Sequence, residues 1–230
     1  IGTPQKDTDT GTNSDASGGT DDDEDGAIAI VYGRDARGDV DQMGTNGDDT
    51  LTATAVNEVL NGADGNDTLN DGSFDDTVFM GGAGDDTIQI TNGNFNRIDG
   101  GGGMLDIIDY DGAALDLTGL NSEDISRVEQ LVMSNVSAST LTLSLENIFS
   151  MLQNSDDGTF TINTLGNATI DLDISGVGGG PDTDVDRNEF AKLIHGDHTG
   201  TAGGFDTFQI GGYELKIDQA LFDNSNVEIL

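Results

Sequence analysis

The chain of 230 residues is strongly acidic, because 44 Asp and Glu are opposed by only 8 Lys and Arg, which gives a formal charge of −36. This charge makes nucleic acid and anionic membrane surfaces unsuitable partners, and it destabilises a compact fold unless counter-ions are bound. There is no Cys, which excludes disulfides and thiolate metal sites, and no apolar run approaches the roughly 18 residues of a membrane-spanning helix.

The beginning of the chain is polar. Residues 1–26 contain almost no apolar side chains, and this composition predicts an acidic flexible tail or linker. Residues 27–43 begin with the β-prone run AIAIVYG (27–33), which we expect to be the leading strand, followed by a loop. An alternative is that this strand is donated to the sheet edge of a neighbouring molecule. The chain starts without Met or a signal-peptide pattern, which predicts a processed product or a piece of a longer protein.

A nonapeptide of the form Gly-Gly-x-Gly-x-Asp-x-apolar-x recurs from residue 44 to residue 110. An acidic residue precedes each short β-prone run, and the steps between these residues are 9, 9, 9, 10 and 20. Each nonapeptide supplies one turn and one strand, so two of them complete one coil of a parallel β-solenoid, and successive turns alternate between its two edges. The apolar residue two positions after each acidic residue is expected to face the core: Leu51, Leu60, Leu69, Val78, Ile88 and Ile108.

The glycines are distributed unequally between these two edges. One edge receives GTNGDD, GADGND, GGAGDD and GGGMLD, and the other receives ATAVNE, DGSFDD and TNGNFN. Glycine permits conformations that point several carbonyls at one spot, and Asp adds a carboxylate; calcium prefers these oxygen ligands. We therefore predict calcium sites on the first edge, weak or absent sites on the second, and folding that is coupled to metal binding.

Residues 44–110 resemble the repeats-in-toxin (RTX) family of bacterial exoproteins, which leave the cell by type I secretion. The resemblance implies an all-β fold, a parallel β-roll with calcium bound between stacked turns. It implies carboxylate ligands at Asp49, Asp67, Asp86 and Asp106, and turn oxygens from Gly44, Asn46, Gly62, Asp64, Gly81, Ala83, Gly101 and Gly103. The fourth turn departs from the family pattern, because Met104 falls at its third glycine position.

Residues 97–174 resemble the segment that follows the RTX repeats in the C-terminal region of large bacterial adhesins, and residues 111–174 form its β-rich part. Two runs, 115–120 and 139–145, alternate as half-buried strands, and Ser144 is placed to cap a short helix over 144–154. We expect this β-rich region, with one or two short helices, to continue or cap the solenoid and to cover its exposed end.

The remaining chain divides into an insertion and a closing segment. Residues 175–204 are rich in Gly and Asp and contain Asp182, Asp184 and Asp186 at alternate positions, like the start of an EF-hand loop. Arg187 and Leu193 stand where that loop needs Gly and Glu, so two readings remain: a looser calcium site, or a cap for a short helix that follows. Residues 205–230 predict a β-hairpin, and their apolar end resembles a type I secretion signal.

The sequence contains no motif of a nucleophile elbow, a zinc protease or a phosphate-binding loop, so we expect no enzymatic activity from this chain. The reading that accounts for most of the chain is a calcium-dependent, non-catalytic, extracellular adhesion or structural module of a type I secreted bacterial surface protein. Two alternatives remain open. One is a self-assembling subunit of a calcium-stabilised fibre or surface layer, with copies of itself as partners, and the other is the export tail of a secreted hydrolase.

Overall fold

The computed structural model describes residues 40–135, 139–165, 168–173, 190–192, 194, 196–223 and 227–229. The described residues belong to one compact unit and are mostly β-strand, so the prediction of an all-β protein is confirmed. The predicted tail at 1–26, the strand at 27–33 and the aspartates Asp182, Asp184 and Asp186 lie outside the described residues.

The described strands form three sheets. The five-stranded sheet contains, in spatial order, β1 (Gln42–Met43), β3 (Val59–Asp64), β5 (Thr77–Ala83), β7 (Phe95–Gly102) and β10 (Ile125–Ser126). The nine-stranded sheet runs through β2 (Thr50–Thr52), β4 (Thr68–Asn70), β6 (Thr87–Ile90), β8 (Ile107–Tyr110), β11 (Gln130–Met133), β13 (Thr159–Thr164), β17 (Tyr213–Asp218), β16 (Phe205–Ile210) and β15 (Asp197–Ala202). The four-stranded sheet contains β9 (Ala114–Asp116), β12 (Ser139–Ser144), β14 (Ala168–Asp173) and β18 (Val227–Ile229).

From β1 to β8 the chain alternates strictly between the first two sheets. Each strand pairs in parallel with the strand two elements later, so β1, β3, β5 and β7 are neighbours, as are β2, β4, β6 and β8. Leu51, Leu69, Ile88 and Ile108 lie opposite one another in this register. Their separations of 18, 19 and 20 residues equal those of the acidic residues, as the repeat predicted.

The core between the two sheets consists of apolar side chains that alternate along each strand. Leu60, Phe79 and Ile98 face it from the five-stranded sheet, and Leu69, Ile88 and Ile108 from the nine-stranded sheet; all are at most 2% exposed. Burying each such side chain contributes about 1.5–3 kcal/mol.

The expectation that Val78 faces the core is wrong. Phe79 takes that place opposite Leu60, and Val78 is only half-buried. The cause is a change of length between strands. Thr52 pairs with Asn70, but the next core position comes eight residues after Thr52 and nine after Asn70, so the side-chain alternation shifts by one residue.

Beyond residue 110 the nine-stranded sheet continues with β11, β13 and β17 in parallel and ends in the antiparallel strands β16 and β15. The predicted helix is present as α1 (Leu145–Asn154), with Ser144 as its N-cap in a capping box with Asn147. The predicted C-terminal hairpin is β16–β17, which is followed by a short helix, α2 (Gln219–Asp223), and by β18. Part of the expected insertion, residues 197–202, is strand β15.

Candidate metal centre

The four Gly-rich turns lie one above another along one side of the first two sheets, which we call the glycine edge. The pairing sets Ala63 opposite Gly82 and Gly82 opposite Gly101, so Gly100 takes the position of Gly81. The stacked turns are turn 1 (residues 44–49), turn 2 (62–67), turn 3 (81–86) and turn 4 (100–106).

The sequence alignment of turn 4 is wrong by one residue. Because Ala83 pairs with Gly102, the residue opposite Gly84 is Gly103, so Gly103 and not Met104 is the third glycine of turn 4. The turn has one residue more than turn 3, and both Met104 and Leu105 are exposed. The glycine spacing of turn 4 is therefore intact, and the predicted departure from the repeat is confined to its exposed tip.

The aspartate that ends each turn is hydrogen-bonded to the turn before it. Oδ1 of Asp67 accepts the N–H of Asp49, Oδ1 of Asp86 accepts the N–H of Asp67, and Oδ1 of Asp106 accepts the N–H of Asp86, each at 2.7 Å. Bonds of this kind to a charged acceptor are short and strong, so they fix the orientation of the carboxylates. One oxygen of each carboxylate thereby joins two turns, and we call this series the carboxylate ladder.

The second oxygen of these three carboxylates has no hydrogen-bond partner. Asp67, Asp86 and Asp106 are 2%, 0% and 1% exposed, and Oδ2 of each is buried and unpaired. An unpaired ionised oxygen away from water is costly, so each position calls for a proton or a cation.

Main-chain carbonyls lie beside these unpaired oxygens. A Cβ added to Gly62 would collide with both Asp67 Oδ2 and the carbonyl oxygen of Gly81, and one added to Gly81 would collide with Asp86 Oδ2 and the carbonyl of Gly100. A free carboxylate oxygen of one turn and a carbonyl oxygen of the next therefore flank the same α-carbon. Only glycine fits there, and the atoms that surround it are hard oxygen ligands of the kind that calcium takes.

Burial raises the pKa of these buried carboxyls against the opposing effect of the ladder hydrogen bonds. The pKa of Asp86 rises from its ordinary value of 3.8 to about 6, and that of Asp106 to about 7, with burial as the largest cause in both. The pKa of Asp67 is also raised, chiefly by burial. Neighbouring carboxylates raise these values further, so the ionised form needs an added positive charge.

Turn 1 differs from the other three. Asp49 is only half-buried, and its Oδ2 accepts both the N–H of Thr45 at 2.6 Å and its hydroxyl at 2.8 Å. These hydrogen bonds lower the pKa of Asp49. The sequence singled out turn 4 as the irregular member, whereas the structure places the unpaired oxygens in turns 2, 3 and 4 and gives the carboxylate of turn 1 partners of its own.

In turns 1 to 3 the predicted turn oxygens occupy two kinds of position. Gly44, Gly62 and Gly81 are the first residues of their turns, and the carbonyls of Gly62 and Gly81 face the glycine of the preceding turn. Asn46, Asp64 and Ala83 are exposed third residues, and the carbonyl of Ala83 accepts the N–H of Gly65 at 2.7 Å. Gly101 and Gly103 are the second and fourth residues of turn 4, since Gly100 is its first.

Among the residues that the structure describes, no three His, Asp or Glu side chains converge closely enough to hold a metal by themselves. A cation on the glycine edge would thus bind one carboxylate per turn and complete its shell with main-chain carbonyls. The residues present fit such a cation, because each buried carboxylate keeps one oxygen free, and for Asp67 and Asp86 that oxygen lies beside a carbonyl.

The opposite edge of the two sheets satisfies its carboxylates internally. Asp71 is 2% exposed, its Oδ2 accepts the N–H of Thr91 at 2.7 Å, and its Oδ1 accepts the N–H of Ser73 at 2.8 Å. Glu58 accepts the N–H and the hydroxyl of Thr54. These two carboxylates therefore have hydrogen-bond partners within the chain, unlike the second oxygens on the glycine edge.

Sequence reasoning missed two residues at the end of the stack. Glu129 accepts the N–H of Asp106 at 2.8 Å and so adds a rung to the carboxylate ladder, and Arg127 precedes it with a left-handed φ of 52°. Neither lies in a Gly-rich turn, so the repeat could not reveal them. The available signal was Glu129 directly before the apolar run QLVM, as each aspartate stands before its strand.

Compared with known proteins, the chain matches no family model, no curated protein and no solved structure. Within the described part of the chain, no helix is long and apolar enough to cross a membrane.

Proposed function

We propose that residues 44–106 form a calcium-binding parallel β-roll of the RTX type, whose fold is completed by calcium on the glycine edge. The observation that supports this most directly is the row of unpaired, buried Oδ2 atoms of Asp67, Asp86 and Asp106. Each would bind a cation together with a carbonyl oxygen of the following turn, and the cation would offset the repulsion between stacked carboxylates.

Calcium suits these oxygens better than other common metals. The ligands are carboxylate and carbonyl oxygens, and the chain has no Cys, which disfavours the soft-ligand metals. Calcium tolerates six to eight oxygens in irregular geometry, whereas magnesium requires a near-ideal octahedron and gives up its water reluctantly. A stack of backbone turns supplies oxygens at spacings set by the sheet, which calcium can accommodate.

The low ligand charge of each position favours weak binding. A site with one carboxylate per turn and neutral carbonyls belongs with extracellular calcium modules, whose dissociation constants are on the order of 10⁻⁴–10⁻³ M. Such a site would be empty at the low calcium level inside a cell and filled outside. We therefore propose that the chain works as a calcium-dependent, non-catalytic module of a type I secreted bacterial surface protein, in adhesion or as a structural element.

Calcium removal tests the proposed fold. The protein treated with a chelator should lose much of its β circular-dichroism signal and regain it on addition of millimolar calcium, while the same concentration of magnesium should restore far less. Isothermal titration would then give the stoichiometry. A spectrum and a melting midpoint that do not respond to calcium would refute the proposal.

Self-assembly is a second candidate, supported by the outer end of the stack. Among the strands that the structure describes, β1 and β2 are the terminal members of their sheets, and Met43 and Val56 beside them are 56% and 55% exposed. A free strand edge with apolar side chains can pair with another chain. Light scattering after size exclusion in calcium separates the candidates: assembly should weaken in M43K/V56K, and a monomer at high concentration would exclude it.

A further inference from the structure

The segment that follows the last Gly-rich turn takes the place of another turn without having its sequence. Gln130 pairs with Ile107 and Leu131 with Ile108, so Glu129 lies in register with Asp106. On the other sheet Ser126 pairs with Asp99, so Arg127 lies in register with Gly100. Only Val128 stands between Arg127 and Glu129, where turns 1 to 3 have four residues between their first glycine and their aspartate.

Arg127 supplies the carbonyl that a glycine supplies elsewhere in the stack. A Cβ added to Gly100 would collide with the carbonyl oxygen of Arg127 and with the side chain of Asp106. Gly62 and Gly81 likewise lie between a carbonyl oxygen and the aspartate of their own turn, although there the nearest carboxylate atom is Oδ2 and at Gly100 it is Cγ of Asp106. The Arg127 guanidinium is paired with Asp99, which Arg97 also contacts at 2.9 Å.

Glu129 holds this end of the stack through both of its oxygens. Its Oε2 accepts the N–H of Asp106 at 2.8 Å, and its Oε1 accepts the N–H of Asp156, just beyond α1, at 2.9 Å. It is 5% exposed, and the Arg127 N–H donates to the carbonyl of Asn154, the last residue of α1. The backbone around Asp106 is thereby tied to the end of that helix.

We infer that Asp106 Oδ2 and the Arg127 carbonyl form a divalent-cation site at the junction between the repeat and the following β region, with Glu129 as its positioning residue. The inference rests on the proposed calcium binding, and identifies for the cation at Asp106 a carbonyl ligand that lies outside the nonapeptides. The site also couples two parts of the chain, because a cation bound there orders the segment from Asn154 to Asp156, about 50 residues along the chain from Asp106.

The test combines calcium stoichiometry with hydrogen exchange. In the wild type, calcium should slow exchange of the amides at residues 154–157 as well as those of turn 4. D106N should bind one calcium fewer by native mass spectrometry and lose the calcium-dependent protection at 154–157. D67N is the matched control: it should also lose one calcium, but keep that protection.

E129Q tests the positioning role separately. Both oxygens of Glu129 accept backbone N–H groups. In E129Q the side-chain NH₂ therefore faces a backbone N–H, and two donors cannot form a hydrogen bond. The calcium affinity of this site should fall about 10- to 100-fold, as for other changes in groups that hold metal ligands in place. The stoichiometry at saturating calcium should stay at the wild-type value, because Glu129 is not a ligand. Loss of a calcium from saturated E129Q, or affinity equal to wild type, would refute the positioning role.

The outcomes separate this inference from the proposed function. A wild type that binds no calcium would overturn both. A wild type that binds calcium, together with a D106N variant of unchanged stoichiometry or unchanged protection at 154–157, would overturn the junction site alone.

Discussion

Each edge of the repeat region buries aspartate side chains, but the two edges differ in how many carboxylate oxygens have hydrogen-bond partners. On the opposite edge, Asp71 is buried and both of its oxygens accept backbone N–H groups. On the glycine edge, Asp86 is buried equally deeply, but one oxygen accepts an N–H and the other has no partner. Burial of an acid by itself therefore says little about metal binding, and the informative feature is a buried oxygen without a partner.

The two aspartates differ because they stand at different positions in their turns. Asp71 begins its turn, and the following residues wrap back so that Ser73 donates to it. Asp86 ends its turn, after glycines whose missing side chains leave room for carbonyl oxygens. The buried carboxylate of one edge has hydrogen-bond partners for both oxygens, and each buried carboxylate of the other keeps one oxygen without a partner.

The pair D86N and D71N tests the comparison with the largest expected effect. D86N should remove one site and, at calcium concentrations about 100-fold above the dissociation constant, lower the free energy of unfolding by about 2.7 kcal/mol. At the lowest calcium concentration that keeps the β circular-dichroism signal, D86N should differ little from wild type, since little calcium is then bound to the site that it removes. D71N should cost about 1–3 kcal/mol at both calcium concentrations, because its amide faces backbone donors. Denaturant melts at low and at high calcium give all four values, and equal calcium dependence of the two variants would contradict the comparison.

A second test adds a methyl group to the glycine edge. G81A places Cβ against the Gly100 carbonyl and the Asp86 carboxylate, and should destabilise the protein by about 1–3 kcal/mol while weakening calcium binding. G47A is the matched control in turn 1, since an added Cβ there meets nothing within 4 Å. Thermal melts of the two variants should differ clearly, and similar midpoints would mean that the stacked turns are not tightly packed.

The dependence on pH sharpens the comparison further. Because the folded-state pKa of Asp86 and Asp106 is raised from 3.8 to about 6 and about 7, the calcium-free protein should lose stability as pH rises between about 4 and 7. Protons compete with calcium for the same oxygens, so the melting-point increase due to calcium should be small at pH 4.5 and large at pH 7.5. D86N should reduce this difference and D71N should leave it unchanged. A calcium effect that is equal at both pH values would contradict the assignment.

The smallest effect is expected at turn 1. Asp49 Oδ2 already has the N–H and hydroxyl of Thr45 as partners, so D49N should change the calcium stoichiometry little. Native mass spectrometry of D49N beside D86N measures the contrast. Loss of a full calcium from D49N would show that calcium displaces Thr45 as the partner of Asp49 Oδ2.

The sequence predicted the strands and core of the repeat well, because the spacing of the repeat matches there the spacing of the buried side chains. The apolar positions of Leu69, Ile88 and Ile108 follow each aspartate by two residues, and a strand that buries one face permits a single register. The Val78 prediction failed because a connection one residue longer moves the inward position to Phe79, and a fixed spacing cannot anticipate such a change.

The candidate site was predictable only in part. The glycine pattern pointed to the edge on which Asp67, Asp86 and Asp106 keep a buried, unpaired oxygen. It did not distinguish Asp49, which is half-buried and accepts hydrogen bonds from the N–H and hydroxyl of Thr45. It could not find Arg127, which contributes a carbonyl and not a side chain, since any residue able to take that backbone conformation can do so. Which backbone atoms lie together depends on the pairing of strands that are distant in sequence, and a local sequence pattern does not give that pairing.

The carboxylate ladder has a direction, because every rung is accepted by the turn nearer the C-terminus. Asp49 donates to Asp67, Asp67 to Asp86, Asp86 to Asp106, and Asp106 to Glu129. Each rung ends on a carboxylate of the next segment, so the amide of every turn is held from its C-terminal side, and the last acceptor, Glu129, lies in the β region that follows the repeats. One continuous row of backbone-to-carboxylate hydrogen bonds therefore joins the repeats to that region.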